Sequence, residues 1–273
     1  MPYIAVAEDN SGPIDLYFED HGAGKAVVLV HGFVSSSRSW EKQIVALYHA
    51  GLRVVAYDRR GFGRSSKPAF GYDFDTLAAD LHALITTLEL RDVALAGFGM
   101  GGADIARYVS RYGNKGVRSA TFISGIAPVP DATPEGIDEL DAARVQREID
   151  ADRYAFSTRY IARAYATGNP LERNVSHELL ERDAAVAAEA SPFALHDAVA
   201  AWREDFRTDL ALIDIPTLVV HGDSDRVVPL RVMERRTLAH LHNPTLTVIE
   251  GAPHGLFWTH ASSLNSAMLE FLR

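Results

Sequence analysis

Cysteine is absent from all 273 residues of the chain. This excludes disulfides, thiolate nucleophiles and every cysteine-based zinc or iron–sulfur site. A fold without such cross-links depends on its hydrophobic core, and a chain of this length with 47% hydrophobic residues can bury a sizeable one. Any catalytic chemistry must therefore come from side chains other than cysteine.

Basic residues are also in the minority, with 27 Lys and Arg against 36 Asp and Glu and a net charge of −9. They are dispersed along the chain, which argues against a nucleic-acid partner. The longest apolar stretches, such as Ala26–Val30, are far shorter than the roughly 18 to 20 residues that cross a bilayer. Residues 1–5 lack the basic and apolar regions of a signal peptide. We therefore predict a cytoplasmic protein without a membrane partner.

The chain opens with two alternating stretches, Tyr3–Ala7 and Ile14–Phe18, on either side of a turn cluster at Asp9–Pro13. This pattern predicts an antiparallel hairpin. Short continuous apolar runs then alternate with segments of helical period, which is typical of a mostly parallel sheet with helices on both faces. The predicted strands are Ala26–Val30, Val54–Tyr57, Val93–Ala96, Ala120–Ser124, Thr217–Val220 and Leu246–Ile249, and the predicted helices are Ser39–Ala50, Phe74–Leu88, Gly101–Tyr112, Leu230–His240 and Ser262–Leu272.

A long segment, roughly Pro130–Leu212, interrupts this alternation with helical patterns and no strand candidate. Pro128 and Pro130 mark its beginning, and Ile215–Pro216 follows its end. We predict an α/β core formed by residues 1–128 and 213–273, with residues 129–212 as a helical cap over a site.

A glycine-rich turn follows the strand at residues 93–96 and supports two hypotheses. Gly97, Gly99 and Gly102 fit the G-x-G-x-x-G pattern of dinucleotide binding. The acidic residue expected about 20 positions later is missing, because residues 119–124 read Ser-Ala-Thr-Phe-Ile-Ser. The turn also fits G-x-S-x-G, the strand-turn-helix motif that presents a nucleophilic serine, with Gly99 in place of the serine.

The rest of the chain favours the second hypothesis. In this order, the motifs resemble the α/β-hydrolase fold, and within it the bacterial cofactor-free haloperoxidases and perhydrolase-type esterases, over nearly the whole chain. They are His31-Gly32-Phe33, the run from Tyr57 to Ser65, the glycine turn, His221-Gly222-Asp223-Ser224-Asp225 and Ala252-Pro253-His254-Gly255.

The resemblance implies that Asp225 orients His254 and that the N–H groups of Phe33 and Met100 form an oxyanion hole. The positions of the two residues agree with this role. Asp225 lies just beyond one predicted strand and His254 follows the last one, at the sheet edge where α/β folds bind ligands. A buried carboxylate on Nδ1 makes Nε2 of a histidine a better base. Taken singly, His254 also fits a packing histidine and Asp225 a helix N-cap.

The sequence gives weaker indications of a role for several other residues. Val34, Phe98, Tyr154 and Phe257 are predicted to contact substrate, and Phe156 and Tyr160 could also line a pocket, although aromatic residues on a helix more often pack in the core. Asp223, His31 and Asp58 are predicted to stabilise loops, with Asp223 the rival of Asp225 as the acid. The sequence His177–Glu181 lacks the second histidine of H-E-x-x-H, so no metal site is predicted.

Glycine at position 99 has no side chain with which to form an acyl-enzyme. Either a serine hydrolase has been disabled by substitution, or the nucleophile has been lost naturally. The leading hypothesis is a cofactor-free enzyme in which the His254–Asp225 dyad acts as general base, beside an oxyanion hole, on a small apolar or aromatic substrate. Proton abstraction, C–C bond chemistry and cofactor-free oxygenation all fit such a site.

Two alternatives remain open. The first is a serine esterase or perhydrolase carrying a nucleophile-to-glycine change, and the second is a ligand-binding protein on a hydrolase scaffold. The family's His-Gly-aromatic-Pro loop is altered here, because Val34 follows Phe33. A small-molecule substrate is predicted in either enzymatic case. Related enzymes often self-associate, so a homo-oligomer is an open expectation.

Overall fold

A computed structural model describes residues 2–125, 141–166 and 175–273. Its centre is an eight-stranded sheet in the order β1-β2-β4-β3-β5-β6-β7-β8. The first two strands form an antiparallel hairpin, β2 pairs antiparallel with β4, and all later pairings are parallel. The strands are β1 Tyr3–Asp9, β2 Gly12–His21, β3 Ala26–Val30, β4 Arg53–Tyr57, β5 Val93–Phe98, β6 Val117–Ile123, β7 Thr217–Gly222 and β8 Thr245–Ile249.

The central strands are buried along their whole length because both faces of the sheet are covered. Every residue of β3, β5 and β7 is buried. The predicted hairpin and the six predicted later strands are confirmed, with small shifts at their ends. In register, Val30 pairs with both Tyr57 and Gly97, so three neighbouring strands end at the same level. Their following loops therefore meet at one edge.

Ten α-helices lie in the described parts of the chain. Helix α1 contacts α10, whereas α3 contacts α2 and α7. The predicted helix Leu230–His240 ends earlier, and its last residues form a separate 3₁₀ turn at Leu238–His240. The helices are α1 Glu41–His49, α2 Phe74–Thr87, α3 Met100–Tyr112, α4 Ala142–Ala164, α5 His177–Ala188, α6 Pro192–Ala200, α7 Arg207–Ala211, α8 Leu230–Arg236, α9 Leu256–Thr259 and α10 Ala261–Leu272.

The insertion after β6 is helical throughout its described residues, with α4 packing against both α5 and α6. Helix α4 is interrupted at Asp152, whose φ of −163° and ψ of 93° are not helical. The Asp152 carboxylate accepts hydrogen bonds from the N–H groups of Tyr154 and Ala155, so it begins a second helical segment. Pro128 and Pro130, predicted to mark the front boundary, lie outside the described residues.

Helix α7 lies inside the predicted cap but packs on α3 of the core, where Arg107 pairs with Asp209 at 2.9 Å. The division at residue 212 stays a prediction, and the other described α-helices within residues 129–212 are α4, α5 and α6. Across residues 2–125, 141–166 and 175–273, no helix is both long and apolar enough to cross a membrane.

Candidate active site

His254 and Asp225 come together at the carboxyl edge of the sheet. Nδ1–H of His254 donates to Oδ2 of Asp225 at 2.8 Å, and both side chains are buried. Oδ1 of Asp225 accepts from the N–H groups of Val227 and Val228, each at 2.8 Å. These bonds fix the carboxylate, and the carboxylate in turn fixes the imidazole so that Nε2 is free to act as an acceptor.

A second buried histidine contacts the same carboxylate. Nε2 of His221 lies 2.8 Å from the carbonyl oxygen of Val228 and 3.3 Å from Oδ2 of Asp225. Burial lowers the pKa of His221, partly opposed by the negative charge of Asp225, so the ring is neutral. Nε2 therefore carries the hydrogen that these oxygens share. The motif at residues 221–225 contained this residue, but its role was not predicted.

The turn between β5 and α3 places Gly99 directly in front of His254. Gly99 has φ of +53°, a left-handed conformation that strains residues with a side chain. A Cβ at this position would lie 3.6 Å from Nε2 of His254 and 4.0 Å from Cα of Gly32. A side chain there would point between the base and the loop after β3, as the motif G-x-S-x-G requires. The His254 ring occupies the space in front of the turn, which disfavours the dinucleotide hypothesis.

The two N–H groups predicted to form an oxyanion hole flank this point. Met100 begins α3, where the first N–H groups of a helix have no partner within the helix. Phe33 follows Gly32, next to the position of a Cβ at Gly99. Within the described chain, neither N–H donates to another protein group. Their role as oxyanion donors stays a prediction.

A cavity of about 580 Å³ opens above the dyad, a volume suited to a small organic ligand. Gly99, Met100 and His254 form its floor together with Phe33. Phe33 packs edge-on against Tyr160 and Trp202, with ring centroids 5.6 and 5.1 Å apart. Burial raises the pKa of Tyr160, so its phenol is neutral. Aromatic contact therefore dominates the inner end of the cavity.

Three of the four residues predicted to contact substrate lie elsewhere. Val34, Phe98 and Phe257 line a separate cavity of about 40 Å³ that also touches His254. Phe98 packs against the His254 ring at 4.9 Å between centroids, so it holds the base from behind. The large cavity is lined by Phe33, Phe74, Gly99, Met100, Ala103, Ser124, Arg144, Val145, Glu148, Phe156, Arg159, Tyr160, Ala162, Arg163, Ala166, Trp202, Arg226, Val227, Val228 and His254.

Tyr154 lies apart from both cavities, so the structure gives no support to its predicted contact with substrate. Its side chain is 56% exposed and lies against the guanidinium of Arg153, away from both cavities. Residues two apart on a helix face opposite sides, whereas residues four apart share a face. Phe156 and Tyr160, four apart, both line the large cavity and confirm the weaker assignment. Tyr154 follows the interruption at Asp152 and faces solvent.

The loop-stabilising predictions agree with the contacts. Asp58 accepts from the N–H groups of Ser37 and Arg64, at 2.7 and 2.8 Å. Asp223 accepts from the N–H of Gly251 at 2.8 Å and lies outside the dyad. The buried ring of His31 donates from Nδ1 to the carbonyl of Gly32 and accepts the N–H of Arg59 at Nε2.

Several residues of the site were missed from the sequence. Ser124, with φ of +46°, follows β6 and donates its hydroxyl hydrogen to the carbonyl of His254 at 2.9 Å. Trp202 and four arginines also line the large cavity. Arg159 and Arg163 are four residues apart in α4, a spacing that indicates one helix face and could have drawn attention to them.

The fold and this arrangement define an α/β hydrolase. The chain belongs to that family, because the family model described as the alpha/beta hydrolase fold matches residues 25–261. It is 36% identical over 267 residues to a non-heme chloroperoxidase of Kitasatospora aureofaciens, covering 95% of this chain and 96% of the relative. The crystal structure of a bromoperoxidase from Bacillus anthracis is 41% identical, with a TM-score of 0.93, over 99% and 98% of the two chains. The structure of an esterase from Exiguobacterium antarcticum is 27% identical, with a TM-score of 0.89, and the match covers 99% of this chain and 98% of the esterase chain.

Proposed function

We propose that the protein is a cofactor-free hydrolase of small esters in which His254, oriented by Asp225, acts as a general base on water instead of on a serine. The observation that carries the proposal is the position of His254 Nε2. It faces the cavity and lies 3.6 Å from the place where Cβ of a residue at position 99 would be. Without a side chain at Gly99, this space can admit water next to the base.

The reaction balances without a covalent intermediate. A water hydrogen passes to Nε2 of His254 while the water oxygen bonds to the acyl carbon. The N–H groups of Phe33 and Met100 would donate to the resulting oxyanion. Collapse breaks the bond to the leaving oxygen, which takes the proton from His254. The products are a carboxylic acid and an alcohol.

The names of the relatives include an esterase, which supports ester chemistry. They are haloperoxidases and an esterase, and they give no support to C–C bond cleavage or cofactor-free oxygenation. The aromatic inner wall formed by Phe33, Tyr160 and Trp202 supports a small apolar or aromatic acyl or leaving group.

The second candidate is a serine esterase or perhydrolase whose serine has been replaced by Gly99. The similarity to an esterase and to haloperoxidases over almost the whole chain favours it. The two candidates share the dyad and the donors, and they differ in whether the chain is active with glycine at position 99.

Hydrolysis of phenyl acetate by the parent, Gly99→Ser and His254→Ala proteins separates the candidates. General-base hydrolysis predicts turnover by the parent that His254→Ala abolishes, because the base is lost. The exposed His49 offers a matched control, and His49→Ala should leave turnover unchanged.

Rates for Gly99→Ser report on the second candidate. An inactive parent with a gain of at least about 100-fold in Gly99→Ser would favour the disabled serine esterase, because a nucleophile in register contributes at least that factor. Parent turnover that survives in a folded His254→Ala variant would rule out the first proposal.

A further inference from the structure

The charged residues around the large cavity are mostly arginines. Arg144, Arg159, Arg163 and Arg226 line it, against a single carboxylate, that of Glu148, among the described lining residues. This charge balance is the reverse of that in the whole chain, where acidic residues outnumber Lys and Arg by 36 to 27. A positive cavity in an acidic protein attracts anions and focuses their approach.

Glu148 does not neutralise this charge. Its Oε1 lies 3.4 Å from Nε of Arg144, and its Oε2 lies 3.2 Å from Nη2 of Arg159, so one carboxylate is shared by two guanidinium groups. The side chains of these arginines are 42% and 60% exposed. They therefore stand at the mouth of the cavity and can be reached by a ligand.

Arg226 adds a further positive charge to the cavity lining. It directly follows Asp225 in the loop after β7, and its carbonyl accepts from Nε and Nη2 of Arg163 at 3.2 and 2.9 Å. These bonds join α4 to the loop of the dyad without involving the Arg226 guanidinium. Within the described chain, that guanidinium has no hydrogen bond or ion pair to a protein group.

We propose that the arginines at the cavity mouth bind a carboxylate carried by the substrate, so that the esters accepted by the site are anionic. The inference rests on the proposed function and names its substrate class. The scissile ester would lie at the apolar inner end beside His254, and the carboxylate would lie among Arg144, Arg159 and Arg226. A guanidinium donates two parallel hydrogen bonds to a carboxylate, which would orient the ester toward the base.

Binding tests this inference without turnover. Calorimetric titration with 4-hydroxybenzoate and with neutral 4-hydroxybenzamide compares two ligands of similar size that differ in charge and contain no ester. We expect the anion to bind more tightly than the amide to the parent, and Arg226→Gln and Arg159→Gln each to weaken binding of the anion by about tenfold, with binding of the neutral amide unaffected. Arg231 is exposed and lies outside the cavity lining, so Arg231→Gln is the matched control.

Turnover of 4-acetoxybenzoate and of methyl 4-acetoxybenzoate then links charge recognition to the reaction. The ratio of the two kcat/KM values should fall by about tenfold in Arg226→Gln, and added salt should lower it in the parent. Comparing ratios between variants removes the intrinsic reactivity of the two esters.

The outcomes distinguish the two proposals. Anion binding that depends on the arginines, without turnover of either ester, would refute the ester hydrolase and leave the carboxylate site standing. Hydrolysis of both esters at a ratio unchanged in Arg159→Gln and Arg226→Gln would refute the carboxylate site and leave the hydrolase standing. Equal affinity of the parent for 4-hydroxybenzoate and 4-hydroxybenzamide would also overturn the inference.

Discussion

Two imidazoles share one carboxylate at the centre of the site. His254 is the one that faces the cavity, whereas His221 is fully buried behind Asp225. By donating from Nε2 toward both Val228 and Asp225, His221 holds the loop that carries the carboxylate. It is therefore a positioning residue, which acts on the reaction through Asp225.

Replacing His221 by Phe removes this donor while retaining a planar ring. We expect kcat to fall by roughly tenfold with KM unchanged, because Asp225 is less well held and His221 does not touch substrate. Steady-state kinetics on phenyl acetate, in whichever of the parent and Gly99→Ser proteins turns it over, provide the measurement. His221→Gln keeps an N–H donor and should recover part of kcat. Equal losses in both variants would indicate general damage to the fold instead.

At the scale of elements, the turn from β5 into α3 depends on a close approach of α3 to β3. A Cβ on Gly101 would lie 2.3 Å from the carbonyl oxygen of Val30 and 2.8 Å from that of His31. Both atoms belong to backbone and cannot rotate away. The absence of a side chain at Gly101 thus allows the helix to begin directly against the sheet.

Gly101→Ala should lower the free energy of unfolding by about 3 kcal/mol, even though alanine favours helix by about 1 kcal/mol, because the overlap outweighs the propensity. Urea denaturation measures the change. Gly51→Ala is the control, since its φ is +83° but nothing lies within 4 Å of its Cβ, and it should cost about 1 to 2 kcal/mol. An unchanged or higher free energy of unfolding in Gly101→Ala would show that the overlap with these carbonyl groups costs nothing.

The sequence predicted the elements that local pattern controls and missed those that long-range packing controls. His254 and Asp225 were predictable because each follows a predicted strand of the sheet, and parallel strands end at one edge. The lining of the cavity by α4 was only partly predictable, because spacing shows which residues share a helix face but not which face points inward. Tyr154 lies two residues from Phe156 and therefore on the opposite face, and the arginines were overlooked because charged residues on a helix usually face solvent.

At the scale of the whole molecule, buried charges and neutral histidines connect the loops to the core. The Arg59 guanidinium forms two hydrogen bonds with the carboxylate of Asp104 in α3, at 2.6 and 2.9 Å. The backbone N–H of Arg59 donates to Nε2 of His31. Burial, together with the charge of Arg59, lowers the pKa of His31 to about 3. The folded protein therefore holds His31 neutral at pH values where the unfolded chain protonates it.

This difference predicts the pH dependence of stability. Below pH 6.5 the unfolded state binds a proton that the folded state does not, so stability falls as the pH drops from 6.5 toward about 3. In His31→Gln, the slope of unfolding free energy between pH 6 and pH 4 should be smaller by up to about 1.4 kcal/mol per pH unit. Urea titrations at several pH values measure both slopes, and parallel slopes would contradict the prediction.

Helix α4 supplies both Phe156 and Tyr160 and three of the four arginines around the cavity, whereas the dyad stands on loops of the sheet. The groups proposed to carry out the reaction and those proposed to select its substrate are thus encoded in separate stretches of the gene. Recombination or mutation confined to the α4 stretch could change which compounds are accepted while His254 and Asp225 remain as they are. Substrate preference in such a protein can diversify faster than its reaction.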